Sequence, residues 1–243
     1  SSAHAAQIGR DAAIAAGAPE NCVQWITAPS MEATSALMNH EGIATILATG
    51  GNAMVKAAYS CGKPALGVGA GNVPAYVEKS ANIRQAAHDI VMSKSFDNGM
   101  VCASEQAVII DKEVYDEFVE EFKSYHTYFV NKKEKALLEE FCFGAKANSK
   151  NCAGAKLNPD IVGKPATWIA EQAGFSVPED TNILAAECKE VGEKEPLTRE
   201  KLSPVIAVLK SESREDGVEK ARQMVEFHGL GHSAAIHTAD EEL

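Results

Sequence analysis

The sequence predicts an α/β protein with parallel strands, and two observations carry this prediction. Over residues 1–95, short apolar or β-branched runs alternate with helical patterns of roughly ten residues, which is typical of βαβ units. From residue 96 a second series of the same kind begins, with more charged helices. We therefore expect two domains, 1–95 and 96–243, the first lacking its leading strand and the second truncated at its C-terminal end.

The elements of the first domain follow from apolar runs that are bounded by glycine, proline or capping residues. Strands are predicted at 21–27 (NCVQWIT), 43–49 (IATILAT), 65–71 (ALGVGAG) and 75–78 (AYVE). Helices are predicted over the Ala-rich start, over 31–40 with Ser30 as N-cap, over 52–61 and over 82–95. Because helices alternate with most of these strands, the strands are expected to be parallel.

The second domain repeats this alternation around one irregular region. Strands are predicted at 105–111, 182–188, 204–210 and at the C-terminal end. Amphipathic helices are predicted at 112–126, 133–142, 166–174 and 213–229. The remainder of the stretch from residue 132 to residue 159 is rich in Lys, Asn and Gly and is predicted to be irregular.

Both ends of the chain read as interrupted. A parallel α/β domain normally begins with a strand, whereas this chain begins with a helix, and its last residues read as a strand leading into another element. We expect a piece of a longer protein, with a helix-first domain as the alternative.

Charge and cysteine usage exclude several classes of protein. The net charge of −11 argues against a nucleic-acid partner, although local basic residues can still hold one anionic cofactor. No apolar run approaches the roughly 20 residues of a membrane span, and no signal-peptide pattern is present. The six cysteines show no metal-ligand spacing, which indicates reduced thiols and a cytoplasmic protein with no metal site.

Two glycine-containing turns are candidate ligand sites. In ILATGGNAMVKAA, a strand enters Thr49, Gly50 and Gly51 and a helix begins at once, so backbone N–H groups there suit a pyrophosphate. A tight turn that only permits close packing is the alternative. Gly69 lies in GVGAGN, whose spacing differs from that of a dinucleotide-binding loop. There the glycines are more simply explained by close backbone approach to a ligand or to another segment.

Cys102 is the candidate nucleophile among the six cysteines. It follows the turn pair Asn98-Gly99 and precedes small residues and a strand, so it lies in a loop where a thiol is accessible. The other five are placed in strands, at a helix end or beside the irregular region. Buried packing remains the alternative for Cys102 as well, because a lone cysteine is more often structural than catalytic.

Two further residues are candidates for acid–base or binding roles. His232 stands between glycines and a predicted strand in GLGHSAAIHT, which exposes its ring. Glu200 in REKLSPV precedes a strand that begins with proline, where a carboxylate can reach into a cleft. An exposed surface position is the alternative for Glu200.

These segments together resemble the aldehyde dehydrogenase superfamily, specifically its CoA-acylating branch. The resemblance is carried by ILATGGNAMVKAAYSCGKPALGVGAGNVP, SKSFDNGMVCASEQ, EKLSPV and GLGHSAAIHT, in that order. It implies a nucleotide-binding part of Rossmann type followed by a catalytic α/β domain. It further implies that the thiolate of Cys102 attacks an aldehyde and that Glu200 holds the nicotinamide ribose of NAD. Thr49, Gly50, Gly51 and Gly69 then belong to the NAD site, and His232 acts as a base towards CoA.

The resemblance also implies the fate of the thioester on Cys102. Hydrolytic members of the superfamily carry Glu-Leu-Gly-Gly where this chain has Val68 and its neighbours, and that glutamate activates water. No carboxylate occurs between Ala65 and Tyr76. We therefore expect acyl transfer to CoA, so that acetaldehyde, CoA and NAD are interconverted with acetyl-CoA and NADH.

Three hypotheses about the protein to which the chain belongs remain open at this point. The chain belongs to a bifunctional enzyme that continues into an iron-dependent alcohol dehydrogenase half, to a stand-alone acylating enzyme, or to a non-catalytic assembly module. For the first reading, the resemblance implies a fermentation enzyme that self-associates as a dimer or helical filament. We expect residues 1–243 alone to be inactive or nearly so.

Overall fold

The computed structural model describes residues 2–150 and 152–242, without the side chain of residue 153. The chain divides into two compact units, with the boundary between Gly67 and Val68. None of the described helices is long and apolar enough to cross a membrane.

The first unit contains three helices and a two-stranded sheet. Its elements are α1 (Ser2–Ala15), α2 (Met31–Asn39), β1 (Ile46–Thr49), α3 (Asn52–Ser60) and β2 (Ala65–Val68), which ends on the boundary. Ser30 caps α2 as predicted, because its hydroxyl accepts the N–H of Ala33. Ile46, Ala48 and Ala58 form a small core.

The predicted strand at 21–27 is wrong. The N–H of Cys22 donates to the carbonyl of Pro19, and the side chain of Gln24 donates to the carbonyl of Asn21, so this segment forms turns. A strand needs a partner for its backbone groups, and among the described residues β1 and β2 pair only with each other. Cys22 is consequently exposed.

The second unit is built on six parallel strands in the order β5-β6-β7-β4-β3-β8. The strands are β3 (Pro74–Val77), β4 (Ala107–Asp111), β5 (Thr127–Phe129), β6 (Ile183–Glu187), β7 (Val205–Ser211) and β8 (Ala235–His237). The helices are α4 (Ile83–Ser95), α5 (Tyr115–Ser124), α6 (Lys132–Phe143), α7 (Ala166–Ala173) and α8 (Arg214–Glu226). The short strand β5 was not predicted, because the sequence showed only the helix pattern that ends just before it.

Helices cover both faces of this sheet, so its strands are apolar on both sides. Ile109 and Leu209 point to the layer formed by α6, α7 and α8, whereas Ile110 and Val208 point to α4 and α5. Successive side chains of a strand point to opposite faces of the sheet, and both faces are buried. The strands are therefore nearly continuous apolar runs in the sequence.

The division of the chain differs from the one predicted after residue 95. β3 lies between β4 and β8, and α4 packs against the same sheet, so residues 68–95 belong to the second unit. Alternation of strands and helices does not reveal which sheet a given strand joins.

Candidate active site

Four loops meet at the amino-terminal ends of the strands of the six-stranded sheet. Gly71, Cys102, Glu200 and His232 precede β3, β4, β7 and β8, respectively. These strands are parallel and consecutive in the sheet, in the order β7-β4-β3-β8. Their amino-terminal ends therefore lie side by side, and residues more than 100 positions apart in sequence become neighbours.

Gly71 contacts all three predicted functional segments. A Cβ atom on Gly71 would lie 2.8 Å from the carbonyl oxygen of Cys102 and 2.9 Å from Nδ1 of His232. The N–H of Gly71 donates to Oε1 of Glu200 at 3.0 Å. Only glycine fits this position, so the expected close backbone approach in GVGAGN is found here. Gly69 lies two residues earlier on the same loop and is half-buried.

The loop that carries Cys102 begins with a left-handed turn. Asp97 and Asn98 both have φ of 49°, and Gly99 has φ of 68°. The side chain of Asn98 donates to the carbonyl of Gly163 at 3.1 Å. A Cβ on Gly99 would lie 2.6 Å from the backbone of Ser203, so the cysteine loop packs directly on the segment after Glu200. The predicted Asn98-Gly99 turn is confirmed, and Cys102 is a half-buried free thiol in the loop that follows.

Glu200 is half-buried and is not the exposed surface residue of the alternative reading. Burial raises the pKa of its carboxyl group above the usual range. The N–H of Gly71 and the charges of His232, Lys201 and Lys94 oppose that rise in pKa. One oxygen of this carboxylate accepts a backbone hydrogen bond, which fixes its direction towards the Gly71 loop.

The ring of His232 is oriented by its own backbone. Nδ1 accepts the N–H of Ser233 at 2.8 Å, and the N–H of His232 donates to the carbonyl of Gly229. Because Nδ1 is an acceptor, the proton of the neutral ring lies on Nε2. In this arrangement the Nε2–H group of the neutral ring is available as a hydrogen-bond donor.

Asn72 is a site-building residue that the sequence analysis missed. Its Nδ2 atom lies 2.9, 3.0 and 2.8 Å from the carbonyl oxygens of Thr198, Met224 and Phe227, respectively. The side chain is buried, with 1% exposure. It thereby connects the Gly71 loop to the segment before Glu200 and to the segment before His232. The only signal in the sequence was a polar residue directly before a buried strand.

The Gly50-Gly51 turn lies in the first unit, between β1 and α3, as predicted. Thr49 is the last residue of β1, and Gly51 is the N-cap of α3. A Cβ on Gly51 would meet nothing within 4 Å, and one on Gly50 would come no closer than 3.7 Å to Met54. Close packing therefore does not require glycine at either position. At Gly67, by contrast, a Cβ would lie 2.5 Å from Val55.

The sequence profile of the aldehyde dehydrogenase family matches residues 2–243. The chain belongs to the aldehyde dehydrogenase family. Among the described residues, no group of three or more His, Cys, Asp or Glu side chains is arranged to hold a metal ion.

Similar members of the aldehyde dehydrogenase family include bifunctional and acylating enzymes. An aldehyde-alcohol dehydrogenase of Streptococcus pneumoniae serotype 4 is 94% identical over all 243 residues, which make up 28% of that protein. The chain therefore spans little more than a quarter of the length of this curated relative.

Solved structures of the family share the fold of the whole chain. An acetylating aldehyde dehydrogenase from Geobacillus thermoglucosidasius is 45% identical with a TM-score of 0.90, over 98% of this chain and 51% of that one. A Rhodopseudomonas palustris propionaldehyde dehydrogenase, described with bound CoA and an acylated cysteine, is 31% identical with a TM-score of 0.82, over 96% of this chain and 51% of that one. The predicted aldehyde dehydrogenase fold is confirmed.

Burial separates Cys102 from three of the other cysteines of this aldehyde dehydrogenase chain. Cys142 and Cys188 are buried, and burial raises the pKa of each thiol to about 12. At pH 8 only about one such thiol in 10⁴ is ionised. We expect brief treatment with iodoacetamide at pH 8 to alkylate Cys102 and to leave Cys142 and Cys188 unmodified, as measured by peptide mass spectrometry. Alkylation of Cys142 at the rate of Cys102 would contradict this assignment of burial.

Proposed function

We propose that the chain carries the cysteine site of an NAD-dependent, CoA-acylating aldehyde dehydrogenase, which interconverts acetaldehyde and CoA with acetyl-CoA. The observation that supports this most directly is the contact of Gly71 with the Cys102 backbone, the Glu200 carboxylate and the His232 ring. A nucleophile, a carboxylate and an imidazole ring thereby lie together at the amino-terminal ends of neighbouring parallel strands. Such a constellation suits covalent acyl chemistry.

In this proposal Cys102 is the group that forms and breaks bonds to the substrate. Its Sγ attacks the carbonyl carbon of the aldehyde and gives a thiohemiacetal, whose oxidation leaves a thioester on Cys102. The sulfur of CoA then attacks the thioester carbon, acyl-CoA leaves, and the Cys102 thiolate is restored. In the reverse direction acetyl-CoA acylates Cys102 and CoA leaves as a thiolate.

His232 is the proposed partner of the CoA sulfur. When acetyl-CoA acylates Cys102, a doubly protonated His232 ring can give one proton to the departing CoA thiolate and is left neutral. In the opposite direction the neutral ring acts as the base that the resemblance implies and takes the proton of the CoA thiol as its sulfur attacks the thioester. The contact of Nδ1 with the Ser233 N–H orients the neutral ring between these steps.

NAD supplies the hydride acceptor when it is bound. The residues that the resemblance implies for NAD are Thr49, Gly50, Gly51, Gly69 and Glu200. The open space above Gly50 and Gly51 and the start of α3 at Asn52 fit a pyrophosphate at the helix N-terminus. The half-buried carboxylate of Glu200 fits a ribose hydroxyl donor.

The Gly71 loop provides no carboxylate that could activate water to attack the thioester on Cys102. No carboxylate occurs between Ala65 and Tyr76, and Asn72 holds three backbone carbonyls instead. A water molecule therefore has no general base from this loop, and the thioester persists until CoA arrives. The Rhodopseudomonas palustris relative, with its bound CoA and acylated cysteine, supports acyl transfer to CoA.

The experiment that tests this function detects the acyl-enzyme directly. Full-length protein is incubated with acetyl-CoA without NADH, digested at low pH and analysed by peptide mass spectrometry. We expect one acetyl group on the peptide that contains Cys102, which disappears on addition of free CoA. An unmodified Cys102 peptide, or acetylation that CoA does not reverse, contradicts the proposal.

The wider setting is proposed on the names of the relatives and on the resemblance. Relatives from Streptococcus pneumoniae and Escherichia coli are named aldehyde-alcohol dehydrogenases. We propose a cytoplasmic fermentation enzyme in which an iron-dependent alcohol dehydrogenase half follows, and which self-associates as a dimer or helical filament. Its small-molecule partners are an aldehyde and CoA, with no nucleic acid or membrane.

A further inference from the structure

We propose that Lys201 is a positioning residue, which holds the backbone around Glu200 so that this carboxylate faces Gly71. The inference rests on the proposed function, because Glu200 is the residue through which Lys201 would act on NAD. Lys201 differs from the residues discussed so far in having a fully buried side chain with no contact to Gly71, Cys102 or His232 among its described hydrogen bonds.

The ammonium group of Lys201 is surrounded by backbone carbonyls. Its Nζ donates to the carbonyl of Gln106 at 3.0 Å and to the carbonyls of Leu197 and Arg199, both at 2.7 Å. Three acceptors match the three donors of an ammonium group. Leu197 and Arg199 lie just before Glu200 in the chain, and Gln106 directly precedes β4, the strand that follows Cys102. Lys201 therefore joins the segment of Glu200 to the segment of Cys102.

The backbone of Lys201 makes a second connection to Gln106. Its N–H donates to Oε1 of Gln106 at 3.0 Å, and the same oxygen accepts from Nζ of Lys94 at 3.3 Å. The side-chain amide of Gln106 in turn donates to the carbonyl of Ser104, two residues after Cys102. Gln106 is fully buried. This network leaves little freedom for the Glu200 segment to shift along the strand.

The segment beyond Lys201 is held in a conformation that needs external support. Leu202 has φ of 46°, which residues other than glycine rarely adopt. Its carbonyl accepts the N–H of Gly163, and the backbone of Ser203 packs against Gly99. Strained backbone persists only where surrounding contacts determine it, and the carbonyl bonds of Lys201 lie directly before it.

Burial of the lysine ammonium group costs free energy, which indicates that Lys201 has a function. Burial lowers the pKa of Lys201, and Cys188, Cys142 and Glu200 oppose that fall. Lys94 is also buried, and repulsion by Lys201 contributes to the lowered pKa of Lys94. An apolar residue here would leave the carbonyls of Gln106, Leu197 and Arg199 without the donor that Lys201 supplies.

The test is a double-mutant cycle in full-length protein, with acetaldehyde oxidation assayed at varied NAD and at varied CoA. We expect Lys201→Met to raise the KM for NAD about tenfold and to leave the KM for CoA within about twofold. In the Glu200→Gln background, Lys201→Met should change the KM for NAD by less than about twofold, because residues that act through one another are not additive. Equal effects in both backgrounds, or equal effects on NAD and CoA, overturn the proposal.

Lys220→Met is the control for the loss of a half-buried lysine that holds a backbone carbonyl. Its Nζ donates to the carbonyl of Lys210 at 3.0 Å and pairs with Asp216, and neither residue lies in the segment of Glu200 or of Cys102. We expect a lowered melting temperature with an unchanged KM for NAD.

If Lys201→Met fails to fold, Gln106→Met tests the same connection by removing the oxygen that accepts the Lys201 N–H. It should raise the KM for NAD about threefold without affecting CoA, and an unchanged KM for NAD overturns the proposal.

Failure of this inference and failure of the proposed function are distinguishable. Acetaldehyde oxidation that persists in Cys102→Ala contradicts the proposed function. Oxidation that requires Cys102 but shows no NAD-specific effect of Lys201→Met contradicts only the role of Lys201.

Discussion

Cys102→Ala in full-length protein is expected to abolish acetyl-CoA reduction, with a loss on the order of 10⁴-fold or more. Alanine cannot form the thiohemiacetal or the thioester, and no other described cysteine lies in the loops that carry Gly71, Glu200 and His232. The rate is measured as NADH consumed with acetyl-CoA as substrate. Alcohol oxidation, assayed separately as NADH formed from ethanol, is expected to survive because it does not use this thiol.

The matched control is Cys22→Ala, which removes an exposed cysteine in the first unit. We expect both activities to remain within about twofold of the parent protein, as for most surface substitutions. Retention of acetyl-CoA reduction in Cys102→Ala would exclude covalent catalysis at this residue. Loss of both activities with a lowered melting temperature would instead indicate a structural role for the thiol.

Gly71→Ala is expected to reduce kcat/KM for acetyl-CoA by about 100-fold, because displacement of catalytic groups by roughly 1 Å has an effect of that size. The new Cβ would lie 2.8 Å from the carbonyl oxygen of Cys102 and 2.9 Å from Nδ1 of His232. Real Cβ contacts are longer, so the cysteine loop or the histidine ring must move. Overpacking of this kind also costs about 1–3 kcal/mol of folding free energy. Steady-state kinetics and thermal melting measure the two effects separately.

Gly154→Ala is the control for this substitution. Gly154 also lies in the second unit, and a Cβ there would meet nothing within 4 Å. We expect unchanged kinetics and a melting temperature within a few degrees of the parent protein. If Gly71→Ala retains full activity, the contact of Gly71 with Cys102 and His232 is not required for catalysis, and the proposed site loses its main support.

Most of the fold was predictable because its secondary structure is encoded locally. The apolar runs that became β4, β6 and β7 are buried on both faces, and a capping residue such as Ser30 marks a helix start. The prediction failed where local pattern and pairing disagree. Residues 21–27 have the composition of a strand but no partner strand, whereas β5 is only three residues long and is formed by pairing with β6.

The candidate site was predictable only in part, and the difference has a physical cause. Cys102, Glu200 and His232 stood out because their motifs place reactive groups in loops next to strands. Asn72 and Lys201 did not, because a buried polar residue is identified by its partners. Asn72 binds carbonyls 126 to 155 residues away, and Lys201 binds one that is 95 residues away.

The sequence by itself determined the α/β class, most helices and strands, and the candidate nucleophile with its possible partners. Only the tertiary structure decided that residues 68–95 join the second unit and that β7, β4, β3 and β8 are adjacent in one sheet. That adjacency is what brings Gly71, Cys102, Glu200 and His232 together. The reason is that helix and strand patterns arise from neighbouring residues, whereas strand order arises from backbone pairing and burial between segments far apart in the chain.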